Sequence, residues 1–178
     1  MRIQSVRDSN SFFDINKHIR RQNLKRYTLQ CTLAGVVVLI LLFVLDAVTQ
    51  TVLIAALGSS TFIAFAVPRS PHSDPRHMIG GYLVGIFAGS LMGTLNMALQ
   101  INDASIAHAW MIVFGALATA LAMFIMVVTK TEHPPAAALA LGLVLNEWNF
   151  VTLLVILAGI ISLSVLKRLV LPMLMDLL

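Results

Sequence analysis

Charge is scarce in this chain, and that scarcity is the first constraint on it. Asp, Glu, Lys and Arg make up 11% of its 178 residues, against 58% hydrophobic residues. A soluble domain carries about 25% charged residues, so an ordinary water-soluble surface is excluded and the chain needs lipid as solvent. Cysteine is nearly absent: Cys31 stands alone, which excludes an internal disulfide. No carboxylate falls within residues 50–67, 78–99 or 108–129. A cation carrier normally keeps one in its core, so cation transport is disfavoured. HExxH, GxSxG and P-loop signatures are also missing. The chain is therefore expected not to be an enzyme and to hold no cofactor and no metal. The polar first 28 residues lack the apolar core and cleavage site of a signal peptide. The first hydrophobic segment is expected to stay in the mature protein.

What is present is a series of apolar runs: 28–45, 50–67, 78–99, 108–129, 134–145 and 150–174. A spanning helix needs about 20 apolar residues at 1.5 Å each. The 134–145 run reaches only about 18 Å, so either its flanks enter the membrane or it is a half-helix. Six crossings with the N-terminus inside place Arg69, Arg76, Lys130, Lys167 and Arg168 on the inner side. Asp46, Asp103 and Glu147 then fall outside, with no Lys or Arg beside them, as the positive-inside rule requires. A rival count, with 50–67 and 134–145 re-entrant, leaves four spans and puts Arg69 and Arg76 outside.

Basic charge crowds the first segment. Arg2, Arg7, Lys17, Arg20, Arg21, Lys25 and Arg26 precede residue 27, which suits an anionic inner leaflet. No aromatic–basic interleaving of a nucleic-acid module appears elsewhere in the chain, so nucleic acid is not an expected partner. Residues 11–27 place Phe12, Ile15 and Ile19 at helical spacing, the pattern of an interfacial amphipathic helix; a disordered basic tail is the alternative. The division is thus a cytoplasmic basic segment, 1–27, and a transmembrane domain, 28–178. Within the latter, 28–99 and 108–174 each read as long helix, short small-residue helix, long helix. Three crossings per half invert the second half, the plan of many transporters. The expected fold is all-α: a polytopic transmembrane bundle of six crossings in two inverted three-helix repeats, with irregular second and fifth helices.

Four places in the sequence carry chemistry or close packing. Gly81, Gly85, Gly89 and Gly93 fall four apart on one helical stripe, which predicts close backbone packing; a sliding surface is the sharper reading. Gly58-Ser59-Ser60-Thr61 interrupts the second run. A break there would expose N–H groups near residue 60 as an anion site. The competing reading is an unbroken helix whose hydroxyls bond back to the preceding turn. Glu132-His133-Pro134-Pro135-Ala136 opens the fifth run abruptly, since Pro favours the first helical turn and disfavours helix at His133. His133, beside Glu132, is either a proton-coupling group or an interfacial cap. The proline-rich loop 68–77 carries Arg69 and Arg76, which either steer anions or hold lipid phosphate. His72, His77 and His133 with Asp74 and Glu132 match no metal-ligand spacing.

The segments GSSTFIAFAVPRSP (58–71), PRHMIGGYLVG (75–85) and TEHPPAAALAL (131–141) together resemble the HPP family of membrane proteins, whose triplet stands here as His133-Pro134-Pro135. The resemblance covers about residues 25–170. It implies an integral membrane protein, often counted with four spans, and an anion carrier; plant plastid and cyanobacterial relatives are linked to nitrite transport. Ser59-Ser60 departs from the Gly-Ala-Ser-like residues common there. The expected function is transport of a small inorganic anion, nitrite being the one the resemblance implies, in a bacterial inner membrane, with both termini cytoplasmic. Gly58, Ser59, Ser60, Thr61, His133, Pro134, Pro135 and Ala136 are the expected binding residues, between opposed helix N-termini. Lipid and the anion are the expected partners, and a homo-oligomer is compatible. The alternative is a non-transporting membrane subunit or ion sensor that binds a partner.

Overall fold

The computed structural model describes residues 21–45 and 51–177. The amphipathic helix expected at 11–27 lies outside them up to residue 20; residues 21–27 already belong to the first long helix. Six α-helices follow in order: α1 Arg21–Leu45, α2 Thr51–Ala66, α3 Pro75–Ala98, α4 Ala104–Thr129, α5 Pro134–Leu145 and α6 Phe150–Val170. Short 3-10 turns occupy Pro71–Ser73 and Leu171–Met173. No strand occurs among the described residues.

Three helical stretches, Pro75–Ala98, Ala104–Thr129 and Phe150–Met173, are long and apolar enough to cross a membrane. Ile54–Ala66 and Pro134–Leu145 are apolar but shorter. Helix boundaries follow local chemistry. α3 opens on Pro75, after Asp74 in extended geometry, where a missing N–H costs nothing. α4 is capped by Asp103, whose carboxylate accepts from Ser105 N and Ile106 N. The Ser105 hydroxyl, then those two backbone donors, hold the Asp103 carboxyl below its usual range. α4 ends on Lys130 in the left-handed region, φ 54°. α6 starts with a capping box between Asn149 and Thr152.

The short α5 sits at the centre, packed against α2, α3 and α4. α2 also meets α1 and α6, α3 meets α4 and α6, and α1 meets α6. The glycine stripe explains how α5 enters so closely. A Cβ at Gly89 would stand 2.7 Å from the Ala140 carbonyl oxygen, and one at Gly81 would stand 2.7 Å from His133 Cβ. At Gly85 it would collide with the Ala136 carbonyl. α3 and α5 thus touch backbone to backbone, as small-residue stripes allow in lipid.

Among the described residues, the polar contacts between helices gather at one end of the bundle. There, Arg76 Nη2 donates to Thr129 O (3.2 Å), joining the start of α3 to the end of α4. Leu177 N donates to Ala66 O (2.8 Å), so the segment after α6 covers the end of α2. Buried Gln30 of α1 donates to Phe65 O and, at 2.8 Å, to Met175 O. Its own carbonyl accepts from Met175 N (3.3 Å). α2, α4 and α6 therefore finish where α3 and α5 begin, and successive helices run in alternating directions. The opposite end holds the 99–103 and 146–149 connections.

Candidate functional site

α2 runs unbroken through Gly58-Ser59-Ser60-Thr61. This corrects the expected helix break at residue 60 and the irregular second helix. The physical reason is local. Ser59 Oγ donates to Ala56 O (3.0 Å) and Thr61 Oγ1 to Leu57 O (2.9 Å), so two hydroxyls return to the preceding turn. No helix N-terminus is created in α2, and the picture of two opposed N-termini does not hold. Nor does the start of α5 offer many free donors. Pro134 and Pro135 have no N–H, and Ala136 N donates to His133 O (2.8 Å).

The side chains form a different arrangement there. Ser60 is fully buried, about 9 Å along the axis from the end of α2. Its Oγ lies 2.9 Å from Tyr82 Oη and 2.8 Å from His133 Nε2. His133, 1% exposed in extended geometry before α5, reaches His72 O with Nδ1 at 3.0 Å. A carbonyl can only accept, so Nδ1 carries a hydrogen. In the neutral ring Nε2 is then an acceptor. Ser60 donates to it, which leaves the Ser60 oxygen to accept from Tyr82. The chain runs Tyr82 to Ser60 to His133 to His72, each donor satisfied. Three helices and one turn converge on it: α2, α3, α5 and the Pro71–Ser73 turn.

The other expected residues fall into two groups. Thr61, Pro135 and Ala136 are buried nearby in sequence, Thr61 with its hydroxyl spent on Leu57 O. Ser59 and Pro134 are exposed, and Gly58 has nothing within 4 Å of where a Cβ would be. Glu132 points to His77, 3.6 Å from its Nε2, rather than to His133. His72 Nδ1 donates to Glu132 O (2.9 Å). Among the described residues, no three His, Cys, Asp or Glu side chains are placed to hold a metal.

Two residues of this region were not anticipated. Tyr82 is fully buried on the face of α3 that carries Met78, Gly81 and Gly85. Its place beside the glycine stripe was the available signal. Lys167 is one of the cations that the six-crossing count places on the inner side. It is 2% exposed, on the α6 face shared with Ile156, Ile160, Leu163 and Ser164, while Arg168 is exposed. The signal was its spacing from Ile160 and Ser164, which places it on the inward stripe. Lys167 Nζ donates to Ser73 O (2.9 Å) and Ser73 Oγ (3.1 Å). A shallow hollow at the other end, lined by Asn96, Met97, Gln100, Ile101 and Ala107, is remote from these groups.

Apolar helices of this length, packed with their polar contacts turned inward, define an integral multi-pass membrane protein. The chain belongs to the HPP transmembrane region family, whose sequence profile matches residues 19–173. It is 35% identical over 118 residues to a transmembrane protein of Dictyostelium discoideum, covering 65% of this chain and 38% of that one. A second transmembrane protein of that organism is 33% identical over 94 residues, covering 53% of this chain and 28% of its own. The chain thus spans about a third of the length of these curated relatives. No solved structure matches it.

Proposed function

We propose that this chain is a carrier for a small inorganic anion, with nitrite the first to test because the HPP resemblance implies it. The observation that carries the reading is the buried chain of Tyr82, Ser60 and His133 at the start of α5, where no carboxylate takes part. These groups can reverse direction together. With His133 neutral, every hydroxyl hydrogen points toward the imidazole. When His133 takes a proton, Nε2 becomes a donor to Ser60, Ser60 donates to Tyr82, and the Tyr82 hydrogen is freed for an anion. A bound anion in turn favours the charged ring. Proton and anion then move together, and uptake runs faster at lower pH.

The same pair argues against an enzyme. A Ser–His nucleophile needs space for substrate and preorganised donors for its oxyanion. Ser60 is fully buried, already bonded to Tyr82, and the adjacent helix start is depleted of N–H groups by its two prolines.

The carrier is proposed as six crossings in two inverted repeats. Exchanging α1, α2 and α3 with α4, α5 and α6 maps the packing pairs onto one another. The α1–α2 pair goes to α4–α5, α3–α5 to α6–α2, and α3–α4 to α6–α1; α2–α5 and α3–α6 map to themselves. Such exchange symmetry is what alternating access uses. The polar end, with Arg69, Arg76, Lys130 and Arg168, is assigned to the cytoplasm of a bacterial inner membrane.

Purified protein in liposomes, assayed over a panel of nitrite, nitrate, formate and chloride, tests the reading. Uptake of at least one anion, stimulated by an inward proton gradient, is expected. His133→Gln should flatten the pH dependence; a parent-like pH profile would reduce His133 to a structural cap. No flux of any of these anions sinks the carrier reading. The topology has its own test. A cysteine at exposed Pro71, with Cys31 replaced, should resist membrane-impermeant thiol reagents in intact cells, and outside labelling would reverse the assignment.

A further inference from the structure

We propose that Lys167 is the fixed cation of an anion site at the polar end of the bundle, an inference that rests on, and deepens, the carrier reading. Lys167 is 2% exposed, and its ammonium is met by neutral oxygens only. Among the described residues no carboxylate lies within ion-pair distance of Nζ; Asp74 and Asp176 act on it from farther away, opposed by Arg168. A buried charge without a close counter-ion is costly, and proteins rarely keep one without a use. Ser73 takes two of the three ammonium hydrogens, so one remains for a ligand.

Its position ties it to the Tyr82–Ser60–His133 chain. Lys167 bonds the carbonyl of Ser73, while His133 bonds the carbonyl of the preceding residue, His72. Both cationic candidates therefore hold adjacent carbonyls of one short turn, Pro71–Ser73. That turn is itself locked by Ser73 Oγ donating to Pro68 O (2.7 Å). An anion entering beside that turn would meet an ammonium on α6 and a titratable imidazole before α5. The ligand class is a small monovalent oxyanion or halide. One ammonium with a neutral imidazole balances a single negative charge, and a divalent anion would be undercompensated whenever His133 is neutral.

Thermal unfolding of the whole protein in neutral detergent, with nitrite, nitrate, chloride or sulfate added as sodium salts, reads binding without needing transport. The parent should melt higher with nitrite, nitrate or chloride than with sulfate at equal ionic strength. Lys167→Gln, which still can donate to Ser73, should lose that gain and raise the KM of liposome uptake at least tenfold. Lys167→Arg should keep the gain but change the ranking of anions, because a planar fork replaces a point charge. A parent that no small anion stabilises, a Lys167→Gln protein stabilised like the parent, or a Lys167→Arg protein with the parent's ranking would each overturn the proposal. So would stabilisation by phosphatidylglycerol alone, which would make Lys167 a lipid anchor. Anion stabilisation lost in Lys167→Gln, but with no flux in the parent, would keep this site and discard the carrier reading.

Discussion

The two short helices, α2 and α5, are each flanked by longer helices and are built in contrasting ways. α5 is sealed: its backbone lies against the glycines of α3, and seven of its twelve residues are buried. α2 has its glycine on an open side, with nothing within 4 Å of Gly58. Yet it is α2 that stays regular from Thr51 to Ala66, and α5 that is truncated by two prolines. Small residues in α5 serve approach, whereas a Cβ at Gly58 in α2 would meet open space. The lesson is that similar small-residue content can mean a packing slot in one helix and spare room in the other.

The largest effect should come from filling the slot. Gly85→Leu would drive a side chain into the Ala136 carbonyl, and overpacking alone costs about 1–3 kcal/mol. Here the obstacle is backbone, so the variant should fail to fold or melt far below the parent. A parent-like melting temperature in detergent would show that α3 and α5 do not pack this way. A middle effect is expected where the two short helices meet. Ser60→Val removes the hydroxyl shared by Tyr82 and His133 and leaves both polar groups short of a partner, at about 1–3 kcal/mol. It should still insert, and its anion uptake should fall sharply; full activity would move the site elsewhere. The smallest effect has the opposite sign. Gly58→Ala meets open space in a helix interior and should stabilise by up to about 1 kcal/mol. Lower stability there would mean that the open side of α2 is covered in the assembled protein.

Much of the fold was legible because lipid imposes a length and a pattern. The runs at 78–99, 108–129 and 134–145 became α3, α4 and α5 with ends shifted by a few residues. Glycines spaced by four pointed to the close approach that the Cβ positions display. The meeting of Ser60 and His133 could be guessed from their matching places in the two halves. The means could not. Whether a Gly-Ser-Ser-Thr stretch breaks or back-bonds depends on which acceptors are within reach, and the Ala56 and Leu57 carbonyls were as available as a ligand. The burial of Lys167 was not legible because positive-inside counting assigns a cation to a side and not to a face of its helix. Only the inward stripe of α6 decides that Lys167 is buried and Arg168 is not.

Gln30 sets a condition on biogenesis. Its amide joins α1 to the end of α2 and to Met175, which follows it by 145 positions. At about 5–20 residues per second, roughly 7–30 s separate the synthesis of these two partners. Once α2 has been made, α1 and α2 wait with the Gln30 amide only partly satisfied and the Ala66 carbonyl without Leu177. The first half of the bundle is therefore an unfinished surface until Met175 and Leu177 have been made.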